Sequence, residues 1–299
     1  MTQSYTRAET VEDALAALAS GARPVAGGTD LVVGARQGKA PLPDSIVAIH
    51  SLAELRGVDL DGETLRVGAL TTHEEISEHT LVIERLTALA DAAAIVGSHA
   101  TRAQGTVGGN LMNASPAMEI GGPLQCFGAA VTLRSQAGQR SVPVADLFAG
   151  PGETTAGPRE LLTEVAVPLP PAATGSCYAR LEYRQQMEIA VVGATAVVTF
   201  AENRVGAAKV AITALAPTVR LVPAAEEALV GSDGGHAAAE VAAHAAAEAS
   251  EPISDVRASE AYRRVMAAVL ARRAIEAAVA RARGAGVPVP ASRFLHAAA

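Results

Sequence analysis

The chain has 299 residues, of which 49% are hydrophobic, and carries a formal net charge of −7 with Lys39 and Lys209 as its only lysines. That length allows one large domain or two ordinary ones with buried cores, and the acidic balance offers no basic stripe to neutralise a nucleic-acid backbone. The amino terminus is polar, and no uninterrupted apolar run reaches the roughly 20 residues of a membrane helix, so a cytoplasmic protein without a membrane span is expected.

Residues 10–20 read as a short helix: Thr10 is the N-cap, Asp13 completes a capping-box variant, and Leu15 and Leu18 face inward. Pro24 and Val25 lead into a glycine pair in Ala26-Gly27-Gly28-Thr29-Asp30-Leu31. The stretch 34–40 imitates a P-loop but is one residue short between its glycines and has Ala40 where Ser or Thr should meet magnesium, so it is rejected. Strands are expected at 45–49 and 64–67. His73 and His79, six residues apart, share no helical face and lack the H-E-x-x-H zinc spacing.

Val82, Ile83, Leu86, Leu89, Ala90, Ala93 and Val96 recur at helical spacing and predict one amphipathic helix over 82–96. It delivers the chain to a second glycine pair, Thr106-Val107-Gly108-Gly109-Asn110-Leu111, followed by Asn113-Ala114-Ser115-Pro116. Strands follow at 131–133, 141–144 and 161–167, and the proline-rich stretch 168–171 marks a domain boundary. Cys126 and Cys177 are too few and too far apart to hold an iron–sulfur cluster or a structural zinc, and read as small buried hydrophobes. Beyond the boundary, β-prone runs at 190–200 and 207–215 form an antiparallel hairpin around 201–204. Helices are expected at 223–230, 236–249 and 259–283, with His236 and His244 solvated and the Pro- and Ala-rich residues 285–299 a loose tail.

Both glycine pairs follow short β-branched or apolar stretches and precede polar residues, and neither contains Lys or Arg. Without a Cβ the backbone turns at positive φ and its amides approach an anion closely, which suits a diphosphate held by main-chain N–H groups. The ligand is then a dinucleotide. Neither loop reads G-x-G-x-x-G, so a Rossmann fingerprint is absent. A single Gly-Gly is ordinarily a tight turn. Two such pairs, each with a polar continuation, favour a ligand.

With these motifs in view, the chain resembles the FAD-binding (medium, flavoprotein) subunit of the molybdenum hydroxylases, the xanthine dehydrogenase and carbon monoxide dehydrogenase family. The resemblance spans roughly residues 5–283. It rests on residues 26–31, 106–111 and 114–116, on Asp146-Leu147-Phe148 and Glu160-Leu161-Leu162, and on Ala261-Tyr262-Arg263-Arg264-Val265-Met266 with Arg272-Arg273-Ala274. It implies an α+β fold: a two-subdomain FAD-binding domain of vanillyl-alcohol-oxidase-like type over 1–171, with subdomains of about 1–57 and 58–171. A smaller α+β domain over 172–284 then carries a three-stranded antiparallel sheet and helices.

By motif matching, the resemblance assigns the FAD pyrophosphate to Ala26, Gly27, Gly28, Thr29, Asp30 and Leu31 on one side and to Thr106, Gly108, Gly109 and Asn110 on the other, with Ser115 in the second motif's continuation. Glu119 stands where relatives carry an aspartate bonded to the adenosine ribose. Arg102 is retained before the second loop as a brace, whereas Ala103-Gln104 replaces a common Asn-Arg. Glu188-Ile189-Ala190 matches a flavin-side Asp-x-Ala segment, and Ile189 supplies no stacking ring. Thr29 occupies the place where covalent oxidases often carry His, so the FAD is expected to be non-covalent. The chain itself holds no catalytic side chain and no metal.

The implied partners are a molybdopterin-binding large subunit and a two-cluster iron–sulfur small subunit, assembled as a dimer of heterotrimers and discharging to a soluble acceptor. Two other readings stay open: a free-standing FAD-dependent oxidoreductase on the same scaffold, and a subunit that only scaffolds an assembly.

Overall fold

The computed structural model describes residues 4–295 and builds three sheets of three, five and four strands plus a two-stranded ribbon. The first unit is parallel: β1 (Ser4–Arg7), helix α1 (Val11–Ala19), β2 (Arg23–Val25), helix α2 (Leu31–Arg36) and β3 (Ser45–Ala48), in strand order β1-β3-β2. The capping box forms as expected, with Thr10 Oγ1 accepting from Asp13 N at 3.1 Å and Asp13 Oδ2 accepting from Thr10 N at 3.0 Å. Leu15 and Leu18 bury against Val47 and Ile49. The first glycine loop leaves the carboxyl end of β2, the end at which parallel sheets commonly bind ligands.

The second unit is antiparallel. β4 (Val58–Asp61) and β5 (Thr64–Gly68) are followed by short helices α3 (His73–Glu78), α4 (Thr80–Arg85), α5 (Thr87–Ala93), α6 (His99–Arg102), α7 (Val107–Asn113) and α8 (Gly121–Cys126). The hairpin β6 (Ala130–Ser135) and β7 (Gly138–Pro143), the ribbon β8 (Phe148–Gly150) with β9 (Glu153–Thr154), and β10 (Leu161–Pro168) complete it, in sheet order β4-β5-β10-β6-β7.

The single helix expected over 82–96 is two. The chain breaks at Leu86, whose φ of −125° and ψ of 43° end α4 and start α5. Tertiary contacts cause the break: the amide of Ala88 in the new first turn donates to Ser176 Oγ, a residue 88 positions away, at 2.9 Å. Redirected in this way, α5 buries every residue from Ala88 to Ala93.

The last sheet is antiparallel, β11 (Thr174–Leu181), β12 (Val192–Ala201), β13 (Arg204–Thr213) and β14 (Arg220–Leu221) in that order. It has four strands rather than the expected three, because two-residue β14 pairs with Ala211 and Ile212 and is too short to leave a period-2 signal. Helices α9 (Pro223–Leu229), α10 (His236–Glu248) and α11 (Glu260–Ala282) cover one face. Gly175 of β11 makes the close approach possible, since a Cβ there would overlap the Ala278 carbonyl of α11.

The segment after Gly284, expected to be loose, is anchored as far as it is described. Ala291 and Ser292 are buried, the amide of Ala291 donates to Asp91 Oδ1 at 2.9 Å, and Ser292, at the start of helix α12 (Ser292–Leu295), accepts from the Arg180 amide at 2.8 Å. The rest of the expected tail, 296–299, lies outside the described residues. Both cysteines are buried and free.

Candidate cofactor site

The two glycine loops meet. A Cβ on Gly27 would overlap the carbonyl of Gln104, so this glycine is required by the contact between the first loop and the approach to the second. Gly28 turns at φ +68° beside it, and such alternation of φ sign lets successive amides converge on an anion. Among the described residues no hydrogen bond engages the amides of Gly27, Gly28, Thr29 or Asp30. Four consecutive free donors against a glycine-lined wall fit a diphosphate. Ala26 is half-buried on the first core, and Leu31 opens α2 with Asp30 as its N-cap, which makes no side-chain capping bond.

The second loop is built differently from the first. Residues 69–73, running on from β5, lie alongside 105–108: the Gly108 amide donates to Ala69 O at 2.8 Å, Val107 N to Thr71 O at 2.9 Å and His73 N to Gly105 O at 3.0 Å. A Cβ on Gly108 would approach the Ala69 carbonyl oxygen to 2.8 Å, so Gly108 is a packing glycine, and the expectation that its amide is free for phosphate gives way. The Gly109 amide is likewise engaged, capped by Thr106 Oγ1 at 3.1 Å. What remains unsatisfied on this side is Asn110, whose Oδ1 is buried without a partner. Ser115 caps its own turn, accepting from Ala117 N at 3.3 Å.

The remaining expected residues gather around an arginine that the sequence did not single out. Arg180 of β11 is fully buried and bonds Glu119 Oε1 at 2.6 Å, pairs with Glu182, and donates to the Glu188 carbonyl at 3.4 Å. Burial pushes the Glu119 carboxyl up and Arg180 pulls it back down. Glu119 is therefore an internal ion-pair partner with one oxygen committed, at 7% exposure, and no surface acid. The Glu188 side chain turns to Arg184 at 3.2 Å, and Ile189 is 46% exposed beside it.

That segment reaches back to the approach to the second loop. Met187, at φ +52°, donates its amide to Gly97 O at 2.9 Å and takes its sulfur to Thr101 Oγ1 at 3.6 Å. Arg102 is buried, but it donates to Val96 O at 3.1 Å and so braces the end of the preceding segment rather than the glycine loop. Desolvation lowers its pKa, helped by the charge of Arg293. Arg180 and the 104–105 wall left no signal, because their roles arise from contacts between segments far apart in sequence. Among the described residues no group of three or more His, Cys, Asp or Glu is placed to hold a metal.

Residues 1–170 match the family described as the FAD binding domain in molybdopterin dehydrogenase, and residues 177–278 match the CO dehydrogenase flavoprotein C-terminal domain. The chain belongs to this molybdopterin dehydrogenase flavoprotein family. It is 31% identical to the carbon monoxide dehydrogenase medium chain of Afipia carboxidovorans over 93% of this chain and 97% of that one. It is 30% identical to the xanthine dehydrogenase FAD-binding subunit of Escherichia coli O157:H7 over 94% and 97%. Reconstituted CO dehydrogenase from Oligotropha carboxidovorans superposes with a TM-score of 0.89 at 30% identity, covering 94% of this chain and 99% of that one.

The flavoprotein is thus an oxidoreductase subunit whose cofactor is FAD. The free-amide loop at 27–30 and the orphaned Asn110 Oδ1 are the features of this chain that fit that cofactor. None of its described helices is long and apolar enough to cross a membrane.

Proposed function

We propose that this flavoprotein is the electron-transfer subunit of a heterotrimeric molybdenum hydroxylase, taking electrons from iron–sulfur clusters and passing them to a soluble acceptor such as NAD⁺ or a quinone. The matching partners are a molybdopterin-binding large subunit and a two-cluster iron–sulfur small subunit, in a dimer of heterotrimers. The carbon monoxide dehydrogenase relative is that enzyme's medium chain, which supports a place between a larger and a smaller subunit.

FAD, when bound, supplies the capacity to exchange one or two electrons. The chain supplies position. The amides of Gly27, Gly28, Thr29 and Asp30 would hold the diphosphate, and the Gly27 contact with Gln104 keeps that loop closed on its neighbour. Asn110 Oδ1 would accept a hydrogen bond from the nucleotide. Arg180 locks Glu119, Glu182 and the Glu188 carbonyl into one buried unit, so the 187–189 segment is fixed from below while Ile189 stays accessible from outside.

The observation that carries this reading is the run of four unengaged amides at the contact between the two glycine loops. Purified chain should show the oxidised-flavin band at about 450 nm and take up FAD stoichiometrically. Colourless protein that takes up none would favour the scaffold reading.

A further inference from the structure

The seam between the glycine loops has a third wall, His73. Its side chain is 2% exposed, its Nδ1 is buried without a partner, and among the described residues no hydrogen bond engages Nε2. Gly105 fixes where the ring faces: a Cβ at that glycine would lie 3.3 Å from His73 Cδ2 and 3.5 Å from Thr29 Oγ1. The Cδ2 edge of the imidazole and the Thr29 hydroxyl therefore border the same space beside Gly105. Main-chain bonding holds it there, since His73 N donates to Gly105 O at 3.0 Å and Thr72 caps α3 through Glu75.

With Nδ1 walled off without a partner, Nε2 is the ring nitrogen left to meet a ligand. Burial, with the charge of Arg102 adding to it, holds the imidazole neutral, its pKa brought down to about 4, so it carries one N–H. A bare buried donor is rarer than a bare acceptor, which places that proton on Nε2, the nitrogen on the seam side.

We propose that His73 is a binding residue for the cofactor's diphosphate, its Nε2–H donating to a phosphate oxygen in the space it shares with Thr29 beside Gly105. The inference rests on the FAD reading and extends it to a residue outside both glycine motifs. A phosphodiester oxygen only accepts, so it matches a neutral N–H donor, and the amides of 27–30 would meet the same diphosphate from the opposite side.

The test uses the full-length chain. FAD affinity is measured by flavin fluorescence quenching, with ADP as a competing probe, for wild type, His73→Phe and His73→Gln, the last placing an amide N–H near the Nε2 position. The expected result is about a tenfold loss for both FAD and ADP in His73→Phe, recovery to within about threefold in His73→Gln, and a change in the ³¹P shifts of bound FAD in His73→Phe. Should the Phe variant not fold, ¹⁵N-histidine spectra of the wild type decide: the Nε2–H signal absent from His73→Gln must shift on adding FAD or ADP. Wild type that binds FAD with unchanged affinity in His73→Phe, or with an unmoved Nε2–H signal, overturns the inference alone. Wild type that binds no FAD overturns the functional reading as well.

Discussion

Arg281 grips Asp91 across 190 residues, with Nη1 to Oδ2 at 2.6 Å and Nη2 to Oδ1 at 3.0 Å. Asp91 lies in α5 of the flavin-binding region and Arg281 in the last turn of α11. The carboxylate is fully buried and takes two more bonds, from Tyr178 N at 3.2 Å and Ala291 N at 2.9 Å. Helix, sheet and carboxy-terminal segment are therefore tied at one side chain.

Removing either partner strands a buried charge, which typically costs about 3–5 kcal/mol. Asp91→Asn and Arg281→Met should each lower the urea midpoint by that equivalent, and the double variant should cost less than the sum. Denaturant melts with an unchanged m-value are the check. Additive losses would mean that the pair is not coupled.

At the loop contact, Gly27→Ala drives a methyl into the Gln104 carbonyl and should open the seam. The expected outcome is loss of bound flavin together with a lower melting temperature. Gly34→Ala is the control: it lies in α2 with open space around its Cα, and relief of helical glycine should stabilise by roughly 0.5–1 kcal/mol. Flavin content and melting curves of the two variants give the comparison.

His73 makes stability depend on pH. Burial first, and Arg102 second, bring its pKa from 6.5 down to about 4. The neutral form is thus favoured in the folded state, so this contribution is complete above pH 6.5 and is lost as pH falls toward 4. A shift of that size corresponds to roughly 3 kcal/mol. His73→Phe should remove that part of the acid dependence, which appears as the difference between wild-type and variant stability across the window.

Thr29 offers no imidazole for attachment, so acid precipitation should leave the flavin in the supernatant. Yellow colour retained in the pellet would contradict non-covalent binding.

Ile189 is exposed and presents no aromatic ring. Ile189→Tyr should slow reoxidation of the reduced flavin by its acceptor without changing flavin content. Stopped-flow traces at 450 nm would show it, and an unchanged rate removes the idea.

Much of the architecture was legible because it is written locally. Thr10 and Asp13 sit at capping spacing, the β-prone 190–200 and 207–215 runs pair as a hairpin, and the alanine-rich helices are long enough to declare themselves. The break at Leu86 was not legible, because Ser176 causes it from another sheet. Likewise β14 is two residues long, and the Ala291 amide is held by Asp91, 200 residues away in sequence.

The site divides in the same way. The glycine pairs announced a backbone cradle, but the sequence could not say that Gly108 serves packing while Gly27 closes the seam. A glycine beside a carbonyl looks the same in sequence as one beside a phosphate. Glu119 kept its motif position yet acquired Arg180, whose partner set depends on β11 lying under the 182–189 segment. His73 lacks the zinc spacing in sequence, and only the fold shows it against Gly105.

The Asp91 tie also bears on biosynthesis. Its partners at positions 281 and 291 are made 190 and 200 residues later, so the buried carboxylate lacks its cation until that stretch has been synthesised. α5 is therefore not fully tied down as it emerges, and a chain truncated before Arg281 should leave Asp91 without its cation and fold less stably.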